Sequence, residues 1–171
     1  MKRLAVLRHA KSSWDDPDLN DHDRPLNGRG RKAARRIGRE MADRGMRFDY
    51  VLASTATRVR ETLDGVGESF PIHAPVRFEP GVYEATQDEL LALIHGLDEW
   101  IETSLLVGHN SGLEELIAGI THDDEAGLRE RCARKFPTAA LAVIDLPADR
   151  WAEVKWGSGE IAELIVPREL D

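Results

Sequence analysis

"LAVLRHAKS", residues 4 to 12, is the stretch whose reading decides the fold. Leu4 to Leu7 are apolar and read as a buried strand, and the chain then turns at once to Arg8 and His9, with Lys11 two positions on. A strand of this kind is a rigid post that carries its polar chemistry at the tip. The pattern recurs twice. "YVLAS", residues 50 to 54, exits at Ser54 into a helical stretch with Arg58 on its first turn, and "SLLVGHN", residues 104 to 110, exits at Gly108, His109 and Asn110, again straight into a helix. Open α/β sheets bind ligands at the carboxyl ends of their strands. Three such ends bringing two arginines and two histidines to one rim predict an anion site there.

Working outward, strand-like runs fall at residues 3–7, 50–53, 104–107, 141–146, 151–156 and 161–166. Helical periods lie between the first three. Asn27 caps a helix over residues 28–44, with Ala34, Ile37, Gly38 and Met41 on one face. A second helix covers residues 57–68. A third starts at the capping box Thr86 to Glu89, and a fourth follows Asn110. Alternating strand and helix predicts βαβ units, hence a three-layer α/β/α sandwich around a mostly parallel sheet. The last two runs read as a hairpin across Gly157-Ser158-Gly159. No repeat or linker divides residues 1–171, so one domain is expected.

The bulk numbers remove several classes. A net charge of −8 argues against general binding to nucleic acid or an anionic membrane. Cys132 is the lone cysteine, which suits a reducing cytoplasm, and the apolar run at the N-terminus stops too early for a signal segment. No stretch nears the ~20 apolar residues of a membrane span. An anion site must therefore be a local gathering of basic groups on an acidic background. The planar guanidinium fork matches the oxygens of a phosphoryl group, helix N-termini add free N–H groups, and a neutral imidazole is a competent nucleophile toward phosphorus.

"LRHAKSSW", the run Ser54-Thr55-Ala56-Thr57-Arg58-Val59-Arg60-Glu61-Thr62, and "LLVGHN" together resemble the histidine phosphatase superfamily, the phosphoglycerate mutase-like group. The Lys-Ser-x-Trp continuation and "DRPLNGRG" resemble its SixA-type phosphohistidine phosphatases. The resemblance implies that His9 is the nucleophile, that Arg8 and Arg58 bind phosphoryl oxygens, and that His109 completes the pocket. It places Arg24 as a further basic group of the site and Glu84, in "VYE", as a candidate general acid and base. It implies no metal and no cofactor, and inorganic phosphate as product. Ala10 stands where the superfamily usually has glycine, so a positive φ is not expected there.

Three functions follow from these residues. The first is a phosphatase for phosphohistidine on a protein, such as a phosphotransfer domain or a phosphocarrier. The second is a phosphatase for small phosphomonoesters, and the third a phospho-ligand sensor without turnover. A monomer is the expected state. "GRGRKA" (residues 28–33) and "GSGEIA" (157–162) lack the strand–turn–helix setting of a dinucleotide site. Cys132 lacks the arginine of a cysteine phosphatase six positions on, where Thr138 stands. His22, His73 and His122 read as exposed, and His95 as a helix-surface or packing residue. Arg29, Arg31, Lys32, Arg35, Arg36 and Arg39 form a basic face on the first helix, either solvated or a docking surface for an acidic phosphoprotein.

Overall fold

The computed structural model describes residues 1–170. Among them it places the strands β1 (Lys2–Arg8), β2 (Tyr50–Ala53), β3 (Val76–Phe78), β4 (Thr103–Gly108), β5 (Leu141–Leu146) and β6 (Glu160–Ile165) in one sheet, in the order β3-β2-β4-β1-β5-β6. Neighbours from β3 to β1 run parallel, and β5 and β6 add antiparallel. Side chains of a strand alternate between faces. Leu4 and Val6 accordingly enter one hydrophobic core, while Ala5 and Leu7 enter another on the opposite face.

Helices α1 (Gly28–Asp43) and α2 (Thr57–Gly67) cover the Ala5 and Leu7 face. Helices α3 (Gln87–His95), α4 (Gly112–Ile120) and α5 (Leu128–Arg134) cover the other. The result is the expected three-layer sandwich. The caps behave as predicted: Asn27 accepts from the Gly30 N–H at 2.8 Å, and the Thr86–Glu89 box closes in both directions. Gly38 lets α1 press on α2, since a Cβ there would lie 2.4 Å from the carbonyl oxygen of Val66.

Two expectations are corrected. Residues 151–156 are not a strand. Trp151–Glu153 is a 3₁₀ turn, because Trp151 and Val154, three apart, are the buried positions, and the Trp151 indole N–H donates to the Ile101 carbonyl at 2.7 Å. The hairpin across Gly157 to Gly159 is therefore absent, and β6 pairs with β5. The sequence reading also missed β3 and α5.

Candidate active site

Arg8 closes β1 and His9 follows it, with the His9 N–H donated to the Gly108 carbonyl at 3.1 Å. The His9 ring is 7 % exposed. Its Nδ1 lies 2.7 Å from the Ala10 carbonyl oxygen. A carbonyl only accepts, so Nδ1 carries the proton and donates it there, which leaves the lone pair on Nε2. The Ala10 N–H donates to Thr62 Oγ1 at 3.0 Å, and that hydroxyl donates to the Arg58 carbonyl at 2.6 Å. The loop holding His9 is thus tied to the helix turn holding Arg58. Ala10 is buried and its φ is not positive, as expected.

Arg58 stands on the first turn of α2, whose Ala56 cap gives no side-chain hydrogen bond. The helix start thus keeps a positive dipole end at the rim. Arg58 Nη1 donates to the Asp21 carbonyl at 2.7 Å and Nη2 to Asp21 Oδ2 at 3.0 Å. A weaker contact of 3.4 Å joins Nη2 to His109 Nδ1. Guanidinium only donates, so His109 Nδ1 accepts and its Nε2–H donates to Ser54 Oγ at 2.8 Å. The two imidazole rings lie 5.1 Å apart between centroids. The Nε atoms of both Arg8 and Arg58 are buried without a partner among the described residues, as is Asn110 Oδ1. Buried donors normally find a partner, so two orphaned donors on guanidinium groups close enough to lower the His9 pKa mark a place for anion oxygens.

Burial, reinforced by Arg58, Arg8 and Arg24, lowers the His9 pKa to about 4, against a hydrogen bond to Ala10 that favours the charged form. Burial, with His9 and Arg58, lowers that of His109 to about 3. Both rings are neutral at pH 7. Arg24, 7 % exposed, donates to Asp21 Oδ1 at 3.2 Å and Ser12 Oγ at 2.8 Å, and stacks on exposed Trp14 at 3.5 Å.

The fold thus gathers Arg8, His9, Arg58 and His109, with Arg24 at their edge. It does not join Glu84 to them. Glu84 is exposed at φ 58°, and no hydrogen bond or ion pair links it to a described residue. The sequence reading missed two groups. Asp21 binds Arg24 and Arg58 and accepts from Tyr83 Oη at 2.5 Å; these bonds, Tyr83 first, hold its pKa at about 2. The Tyr83 ring meets His109 edge-on at 5.3 Å. The polar insertion after the Arg-His pair was the only signal for Asp21. His22, expected exposed, is half-buried, and its Nε2 lies 2.8 Å from Thr55 Oγ1. Among the described residues, no group of three or more His, Cys, Asp or Glu could hold a metal ion.

The family model of the histidine phosphatase superfamily (branch 1) matches residues 4–93. An uncharacterised protein of Mycobacterium tuberculosis strain H37Rv is 38% identical over 165 residues, covering 95% of this chain and all of that one. A solved structure from Agrobacterium tumefaciens, provisionally named phosphohistidine phosphatase SixA, is 32% identical with a TM-score of 0.80, covering 97% of this chain and 98% of that one. Another from Nakamurella multipartitia, with the same provisional name, is 28% identical with a TM-score of 0.84, covering 97% and 96%.

Proposed function

The chain belongs to the histidine phosphatase superfamily, in its SixA-type group of phosphatases, and from that premise we propose that it removes phosphate from a histidine on a protein, through a phosphohistidine of its own at His9. The observation that carries this reading is the state of His9: a neutral imidazole with Nδ1–H pinned to Ala10 and its Nε2 lone pair free, within the electrostatic reach of Arg8 and Arg58, whose buried Nε donors have no partner among the described residues.

In the first step the Nε2 lone pair attacks phosphorus. The new P–N bond forms as the substrate's P–N bond breaks; the substrate ring enters protonated on its other nitrogen, takes back the electron pair of the broken bond and leaves as neutral imidazole, while His9, keeping Nδ1–H, becomes the phosphorylated imidazolium. Arg8 and Arg58 hold the equatorial oxygens, where charge is spread in the transition state. His109, neutral and held between Ser54 and Arg58, forms the wall opposite His9. In the second step water attacks the phosphorus on His9. The P–N bond breaks, the electron pair returns to Nε2, one proton of the water passes to a phosphoryl oxygen, and inorganic phosphate departs as dihydrogen phosphate.

Imidazole is a better leaving group than an alkoxide, so the first step needs little proton donation. An exposed, unbonded Glu84 agrees with that. The test compares hydrolysis of phosphohistidine, phosphoaspartate and a phosphomonoester by the wild type and by His9→Asn, with radiolabelled phosphate to trap the intermediate. Phosphohistidine is expected to be preferred, with an acid-labile, base-stable label that His9→Asn lacks. Glu84→Gln is expected to change the phosphohistidine rate by less than about threefold, whereas a role as proton donor to an alcohol costs on the order of 10²-fold. Labelling that survives in His9→Asn refutes the assignment. A dominant phosphomonoester activity that collapses in Glu84→Gln assigns the site to small esters.

A further inference from the structure

Helix α1 carries Arg29, Lys32, Arg36 and Arg39 at spacings that place them in one stripe, ~15 Å long at 1.5 Å per residue. Lys11, from the loop after His9, and Arg168, near the C-terminus, join that stripe around a groove of about 460 Å³. Among the described residues no aspartate or glutamate lines it, in a chain with 31 acidic residues and a net charge of −8. Arg36 is held by the Leu170 carbonyl. The other five cations make no ion pair or side-chain hydrogen bond with any described residue. Basic residues of α1 that point elsewhere are engaged: Arg35 lies 3.8 Å from Glu68, and Arg31 donates to the Leu26 carbonyl at 3.0 Å.

The groove begins at the backbone that holds His9. The Lys11 carbonyl accepts from the Asn27 N–H at 3.0 Å and abuts Gly30 at the start of α1. Thr138 lines the groove, and the next residue, Ala139, donates its N–H to the carbonyls of Arg8 and His9 at 3.0 and 3.1 Å. The groove thus adjoins the pocket along the chain, two residues beyond His9 at Lys11 and one before Ala139 at Thr138.

Resting on the phosphohistidine-protein reading above, we infer that this groove is a docking surface for an acidic face of the phosphorylated protein, flanking its phosphohistidine. Like charges gathered so closely repel one another, and an acidic partner offsets that repulsion while the enzyme's overall negative charge repels acidic surfaces presented elsewhere. A lipid surface fits less well, because none of the exposed large apolar side chains lines the groove. A long nucleic acid would run off the stripe onto the acidic remainder of the molecule.

The test uses two synthetic peptides. Each carries one phosphohistidine, a Gly/Ser spacer of about eight residues, and a tract of about six glutamates or, in its twin, glutamines. The wild type is expected to hydrolyse the glutamate peptide with kcat/KM roughly tenfold higher at low salt, an advantage that disappears near ~0.5 M NaCl. The triple variant Arg29→Glu/Lys32→Glu/Arg39→Glu is expected to lose the preference yet hydrolyse free phosphohistidine like the wild type. Equal wild-type rates on both peptides overturn the docking surface and leave the phosphohistidine reading standing. That comparison needs no variant. A preference that persists in the triple variant also overturns it, as does tight binding of a single-stranded oligonucleotide to the groove without any glutamate preference. Failure to hydrolyse either peptide, by protein that cleaves a phosphomonoester, overturns both readings.

Discussion

Replacing His9 with asparagine should make the protein's stability less sensitive to acid. The asparagine side-chain N–H can take the place of Nδ1–H toward the Ala10 carbonyl, yet it cannot gain a proton. In the unfolded chain the His9 imidazole titrates at the ordinary 6.5; in the fold it is held down at about 4, by burial first and nearby arginines next. The unfolded state therefore binds more protons between those values, so stability rises with pH across that window. The contribution is complete above about pH 6.5 and is lost as the pH falls through 6.5 toward 4. Taking those two values, a drop from pH 7 to 4.5 costs about 2.5 kcal/mol through His9 alone. His109, held at about 3 chiefly by burial, adds a similar amount. Asp21, at about 2, titrates mostly below this range. The assay is urea unfolding followed by tryptophan fluorescence at pH 7 and 4.5, at fixed ionic strength and without phosphate. The stability difference between the two pH values should shrink by about 2.5 kcal/mol in His9→Asn. With His109→Gln added it should shrink by about 5 kcal/mol, the sum of the two contributions. Equal pH sensitivity in wild type and His9→Asn would mean that His9 titrates alike folded and unfolded. The neutral, buried nucleophile on which the mechanism stands would then be refuted.

Two further outcomes bear on how the site is held. Thr62→Val leaves the Ala10 N–H buried without its 3.0 Å partner, which costs about 1–3 kcal/mol, and lets the His9 loop drift; kcat should fall more than KM rises, and Thr62→Ser should restore it, whereas an unchanged kcat removes Thr62 from the positioning of His9. Gly30→Ala puts a Cβ 2.1 Å from the Lys11 carbonyl oxygen, backbone against backbone, and should cost about 1–3 kcal/mol in thermal unfolding together with a loss of turnover; Gly28→Ala, whose Cβ would meet only the Arg31 side chain at 3.9 Å, is the control that should behave like wild type.

Much of the fold and the gathering of Arg8, His9, Arg58 and His109 could be read from the sequence because both rest on local signals. A strand buried on both faces is a continuous apolar run, a capping box is four residues long, and a strand tip is the residue that follows the run. What escaped depends on contacts between distant segments. β3 is three residues at the sheet edge with two of them exposed, too short and polar to stand out, and it exists because Val51 to Ala53 offer it a partner. In residues 151–156 the reading followed β-propensity, but burial of Trp151 and Val154 three positions apart imposed a helical turn. Asp21 and Tyr83 meet across 62 positions, so neither shows its role locally. Glu84 was placed among the candidates by the resemblance, and in the fold it is exposed and outside the hydrogen-bonded cluster.

The deepest dependence of the site is on something no local signal carries, the order and register of the strands. β1, β4 and β2 are neighbours in the sheet, with Arg8 opposite Gly108 and Ala53 opposite Val107. Residues 9 and 109 therefore leave the sheet at one level, and Ser54 leaves it one residue lower, level with Gly108. Neighbouring strands lie ~4.8 Å apart, which is why the His9 and His109 rings come to rest 5.1 Å from one another and why Ser54 reaches His109. A slip of one residue between β1 and β4 would turn Leu105 and Val107 toward the core that holds Leu4 and Val6, and would carry His109 to the wrong side. The apolar alternation that fills the two cores is thus the same constraint that aims the second imidazole at the first. Chemistry at the rim is specified by packing beneath it.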